Sequence, residues 1–131
     1  MDIKIIAPLY VMLKRVTKDD RKMIINLNNY RNWHYIISND TKIAYKEAIK
    51  DQIKGLKFKN KIRLNFQLFK GTKRVSDKAN VLSIQEKFFC DALVECGCIS
   101  DDKDEVIEDQ HYSRTELDRE NPRVEIIIET I

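Results

Sequence analysis

Residues 61–70 alternate without a slip: Ile62, Leu64, Phe66 and Leu68 on one face, Arg63, Asn65 and Gln67 on the other. Successive side chains of a strand leave opposite faces, so this pattern specifies a strand buried on one side only. Such a strand needs a sheet around it and a covering layer on its apolar face. The period then changes. Val81, Leu82, Ile84, Phe88, Phe89, Ala92, Leu93 and Cys96 form a wide apolar face at helical spacing. They predict a deeply packed helix over about 77–95, with Ser76 as N-cap, Asp77 set against the helix dipole and the end near Gly97.

The other elements are read in the same way. Residues 3–13 are apolar and β-prone, with Pro8 marking an edge or a break. Residues 16–22 read as a polar turn, 23–27 as a short strand and 28–34 as a loop of amides and aromatics. Ser38 or Asn39 is the expected cap of a first long helix that runs to Gly55, with Ile43, Ala44, Ile49 and Ile53 as its buried stripe. Residues 100–105 read as an acidic turn, 106–112 as a strand, 115–121 as a polar connection and 123–130 as a closing strand. No linker composition divides the chain, so the expectation is one α+β domain, a mixed β-sheet with two main helices.

Of 131 residues, 43% are hydrophobic and 34% charged, which excludes a disordered chain. The longest apolar runs, such as 126–128, are too short to cross a bilayer, and no long apolar stretch opens the chain. A soluble, cytoplasmic protein is expected, without a membrane partner. Cys90, Cys96 and Cys98 are odd in number and clustered, and His34 and His111 stand apart, so small buried thiols are expected in place of a disulfide framework or zinc site.

The net charge of +3 conceals an asymmetry: residues 1–76 hold 18 Lys and Arg against 6 Asp and Glu, residues 77–131 only 6 against 15. A polyanion partner on one surface fits this balance, and so does attraction between the halves within the fold. Lys42, Lys46, Lys50 and Lys54 recur every four residues on the first helix; phosphates could compensate them, or Glu47 and Asp51. Lys70, Lys73 and Arg74 follow the alternating strand.

On the second helix, Asp77, Asn80, Lys87 and Asp91 fall at about 0°, 300°, 280° and 320°, one strip roughly 80° wide beside the apolar face. Asp101 and Asp102 follow directly. Carboxylates at a buried edge need a lysine, hydrogen-bond donors or a divalent cation. Mg²⁺ or Mn²⁺ prefers such an all-oxygen set, and beside a basic surface it suits hydrolysis of a phosphodiester. The plainer account is a capping Asp77, a Lys87–Asp91 pair at i,i+4 and a solvated acidic turn.

Asp77-Lys78-Ala79-Asn80, followed by residues 86–102 with Asp91-Ala92-Leu93, Gly97 and Asp101-Asp102, resembles the RusA family of Holliday junction resolvases. That family's pattern is D-x-D-N, a lysine-bearing helix, D-A-L, a glycine and an Asp-Asp pair. Residues 122–126 resemble its closing strand; Asn28, Tyr30 and Arg31 before a helix fit more loosely. The resemblance implies a RusA-like α+β homodimer of phage or prophage origin that cuts four-way DNA junctions in recombination and repair with Mg²⁺ or Mn²⁺. It puts catalytic roles on Asp77, Lys87 and Asp102, metal ligation on Asp77, Asp101 and Asp102, and a substrate contact on Asn80. Two departures stand out. Ala79 replaces the second aspartate, with Asp91 as the expected substitute ligand, and the segment from Asn80 to Asp91 is about four residues longer, close to one helical turn.

The leading expectation is therefore a divalent-metal-dependent endodeoxyribonuclease acting on branched DNA. Lys42, Lys46, Lys50, Lys54, Lys70, Lys73 and Arg74 are its expected DNA surface, and Tyr30 and Trp33 are candidates for stacking at a junction. A junction-binding protein of the same fold without effective cleavage is the alternative, favoured by Ala79. A third reading is a protein whose charged halves merely pair.

Overall fold

The computed structural model describes residues 2–75, 77–101 and 103–131. The chain runs β1 (Asp2–Ala7), β2 (Tyr10–Leu13), β3 (Arg21–Ile24), α1 (Leu27–Asn32), α2 (Tyr35–Ile53), β4 (Ile62–Lys70), α3 (Lys78–Glu95), β5 (Ile107–Tyr112), β6 (Glu116–Leu117) and β7 (Arg123–Thr130). It is an α+β domain with a mixed sheet. β1, β7, β4 and β5 lie side by side in that order, with β6 also pairing β4. β7 pairs antiparallel with β1 and β4, whereas β5 and β6 run parallel to β4. The parallel β4–β5 pair requires a crossover, and α3 supplies it.

Alternation along β4 works as the sequence predicts. Ile62, Leu64, Phe66 and Leu68 are buried, as are Val124, Ile126 and Ile128 of the neighbouring β7. Onto this apolar face pack Phe88 and Phe89 of α3 and Tyr45, Ile49 and Ile53 of α2. Phe66 meets Phe89 edge-on at 6.2 Å, and Tyr45 lies 5.7 Å from Phe88. Each such side chain contributes about 1.5–3 kcal/mol through burial alone. Among the described residues no helix is long and apolar enough to cross a membrane.

Several elements differ from the sequence reading. Pro8 is a break: β1 joins the large sheet, while β2 pairs with β3 in a separate two-stranded one. The strand expected at 23–27 is shifted to Arg21–Ile24, and the loop expected at 28–34 contains α1. Asn26 caps that helix by accepting from the Asn29 N–H at 2.8 Å. α2 begins before Ser38 and Asn39, with His34 in the capping position, where Nδ1 accepts from the Ile36 N–H at 3.3 Å. Its buried stripe is Thr41, Tyr45, Ile49 and Ile53; Ile43 is exposed. Thr41 can be buried because its hydroxyl donates to the Ile37 carbonyl at 2.7 Å. Both glycine stops hold: Gly55 and Gly97 have φ of 82° and 74°, the left-handed conformation glycine adopts without a Cβ penalty.

Candidate nucleic-acid interface

α3 carries most of the residues singled out by sequence, and its length decides which of them meet. Asp77, not Ser76, is its N-cap, with its carboxylate accepting from the Ala79 N–H at 3.0 Å; Ser76 lies outside the described residues. Asn80 turns its Oδ1 to the Asn28 N–H at 3.2 Å, tying α1 to the start of α3. Lys87 and Asp91 lie farther along the same helix. At 1.5 Å per residue, Lys87 is about 15 Å and Asp91 about 21 Å along the axis from Asp77. The shared strip is real in angle, but its ends are far apart in rise.

The acidic turn is displaced in the same direction. Beyond α3, the Cys98 N–H donates to the Leu93 carbonyl at 2.8 Å, and the Phe58 N–H donates to the Cys98 carbonyl at 2.9 Å. The chain therefore leaves α3 near the start of β4, whereas Asp77 follows the end of β4. Asp101 pairs with Lys103 at 3.4 Å at this far end. Among the described residues no group of three His, Cys, Asp or Glu side chains is placed to hold a metal ion. Asp77, Asp91 and Asp101 thus do not converge on one Mg²⁺ or Mn²⁺, and Asp91 is no substitute for a ligand at Ala79. Asp102 lies outside the described residues.

What does converge is a cleft of about 700 Å³ between α1, the first turns of α2 and the middle of α3. Lys87 and Asp91 form one wall with Phe88; Lys42, Asn39, Ser38 and Tyr35 form the opposite wall, and Tyr30, Arg31 and Trp33 close the side. The Tyr30 ring sits edge-on to both Trp33 and Phe88, with centroids 6.1 Å away in each case. Tyr35 is 76% exposed and lies against His34 with centroids 4.5 Å apart. Three cations thus share a cavity with aromatic faces and amide and hydroxyl groups. Arg31, Tyr35, Ser38 and Asn39 were missed as site residues, because their segment reads as a loop and a cap; the signal present was an unusual density of aromatics around Arg31.

The lysine row of α2 is divided between partners. Lys42 lies 3.8 Å from Asp91 and 3.6 Å from Glu95, and Lys46 lies 3.0 Å from Glu95. The hydrogen bond from Lys46 holds the Glu95 carboxyl below its ordinary range and raises the Lys46 ammonium in return. Both groups remain well solvated, so the pair contributes modestly. Lys50 pairs with Glu47 at 3.5 Å, as the local account expects, while Lys54 is exposed past the cleft. The i,i+4 partner expected for Asp91 was Lys87; across the helices it takes Lys42 instead. Lys70 donates to the Arg74 carbonyl at 3.1 Å, and Lys73 and Arg74 are exposed on the loop before α3.

No family model matches the chain, and no curated protein is significantly similar to it.

The cap geometry makes a direct prediction. Asp77→Ala is expected to cost about 1 kcal/mol of stability, while Asp77→Asn, which still accepts from Ala79, costs a few tenths. Chemical denaturation of the two variants checks this; equal losses would show that charge at this position matters more than capping.

Proposed function

We propose that the protein binds branched DNA through the cleft between α1, α2 and α3. The observation that carries this reading is the meeting of Arg31, Lys42 and Lys87 beside Tyr30, Trp33 and Tyr35. Cations neutralise backbone phosphates irrespective of sequence, and aromatic faces accept bases that have left the stack. A branch point offers both in one place, whereas an intact duplex keeps its bases stacked. The excess of positive charge in residues 1–76 supports the same partner, as does the resemblance of Lys87 and its surroundings to the RusA pattern. A homodimer would present two equivalent clefts to a four-way junction.

Cleavage of the junction is the second reading, favoured by Asp77, Lys87, Asp101 and Asp102 standing in the order of the RusA motif. Among the described residues no three carboxylates gather around one point, so binding is the function the geometry supports better.

One experiment tests both. A labelled four-way junction and a linear duplex of the same sequence are incubated with the protein in Mg²⁺, Mn²⁺ or EDTA. The expected result is a retarded junction in all three conditions, bound at least about tenfold more tightly than duplex, with its strands intact. Paired nicks at the branch point with metal, and none in EDTA, would establish the nuclease instead. Equal affinity for junction and duplex, or no retardation, would overturn the branched-DNA reading.

A further inference from the structure

The hairpin of β2 and β3 is separate from the main sheet, and the seven residues joining its strands, 14–20, are all exposed. Lys14, Arg15, Lys18, Arg21 and Lys22 crowd this end of the hairpin against only Asp19 and Asp20. Arg15 Nε donates to the Asp19 carbonyl at 2.7 Å, closing a turn within the loop. Lys22 sits 4.2 Å over the Tyr10 ring, and Val16 projects fully into solvent. Cations concentrated on an exposed turn form a surface suited to a polyanion.

Its position follows from how the chain climbs α2. Ile6 exchanges hydrogen bonds with the Gln52 side chain, at 2.8 and 2.7 Å, near the C-terminal end of that helix. Tyr10, Val11 and Met12 then lie against Ala44, Glu47 and Ala48, about one to two turns nearer its N-terminus. The direction of travel carries residues 14–20 towards the first turns of α2, on the face of that helix turned away from Tyr35, Ser38, Asn39 and Lys42. A duplex leaving the cleft across these turns therefore meets the loop on their far side.

We propose that the 14–20 loop is a second phosphate-binding arm, holding the backbone of a duplex that leaves the branch point seated in the cleft. The proposal rests on the branched-DNA reading and extends it to a surface about which the resemblance to resolvases says nothing. The arm would act on any sequence, because phosphates alone are contacted.

The test compares wild type, a Lys14→Ala/Lys18→Ala/Arg21→Ala variant and a Lys87→Ala variant in junction-binding titrations over a range of salt. Three lost phosphate contacts should reduce the slope of log affinity against log salt by about 2–3. Affinity near physiological salt should fall about tenfold, with the thermal midpoint unchanged. A triple variant that keeps the wild-type slope and affinity would overturn the arm, while the loss seen in Lys87→Ala would leave the cleft standing. Wild type that binds no DNA would overturn both. Binding to anionic vesicles in place of DNA, abolished by the triple variant, would assign the arm to a lipid surface and overturn it as a DNA contact.

Discussion

Gln85→Leu is expected to destabilise the protein by about 2–4 kcal/mol. Gln85 is fully buried, and it is a hub rather than a filler: its Oε1 accepts from the Tyr45 hydroxyl at 2.7 Å and its Nε2 donates to the Pro8 carbonyl at 2.8 Å. One side chain therefore joins α3 to α2 and to the break between β1 and β2. Tyr45 is also fully buried, and its burial raises the phenol well above its ordinary pKa, so it acts as a neutral donor. Leucine would leave that hydroxyl and the Pro8 carbonyl without their partner, each at about 1–3 kcal/mol, offset in part by added apolar burial. Tyr45→Phe combined with Gln85→Leu should cost less than the sum of the two single changes, because the orphaned hydroxyl is gone. Urea unfolding checks this through a midpoint lowered by about 1–2 M at unchanged slope. A shift under about 0.3 M would mean that the hub is dispensable. The consequence reaches function, since α2 and α3 are opposite walls of the cleft.

The second large effect belongs to the cleft itself. Arg31→Ala/Lys42→Ala/Lys87→Ala should weaken junction binding about 10–100-fold and reduce the salt slope by up to about 2.7. Stability should move by less than about 1 kcal/mol, because Lys42 pairs with carboxylates that stay partly solvated, Asp91 at 31% and Glu95 at 38% exposure. Lys50→Ala/Lys54→Ala is the informative companion. These positions lie about 12 and 18 Å along α2 from Lys42. A comparable loss there would mean that the duplex tracks the helix, as the four-residue lysine spacing suggests; no loss would keep the duplex off the C-terminal half of α2. Unchanged affinity in the triple variant would remove the cleft from the binding surface.

Much of the fold is legible from local pattern. β4 and β7 alternate cleanly, α3 carries an apolar face too wide to mistake, and Gly55 and Gly97 stop their helices where a left-handed residue is required. The misreadings have local causes as well. Ser38 and Asn39 look like caps, and they compete poorly with a helix that already gains from packing Ile37 and Thr41. α1 has a polar, aromatic composition without a stripe, and it owes its place to Asn26, Asn80 and the ring contacts of Tyr30. Lys42 and Lys46 find their carboxylates on α3, residues no helical spacing could connect to them.

The candidate site divides along the same line. Sequence alone determined that Asp77, Asn80, Lys87 and Asp91 share one side of a buried helix, since angle depends only on residue number. Whether they work together depends on rise, and on what stands opposite each turn. Packing of α3 over the sheet holds Asp77 at one end and Asp101 beyond the other, and seats Lys87 and Asp91 against α1 and α2 in between. Only the tertiary structure could bring Arg31, Tyr35 and Lys42 to Lys87, because contacts between distant segments arise from burying apolar faces together and leave no periodic trace in the chain.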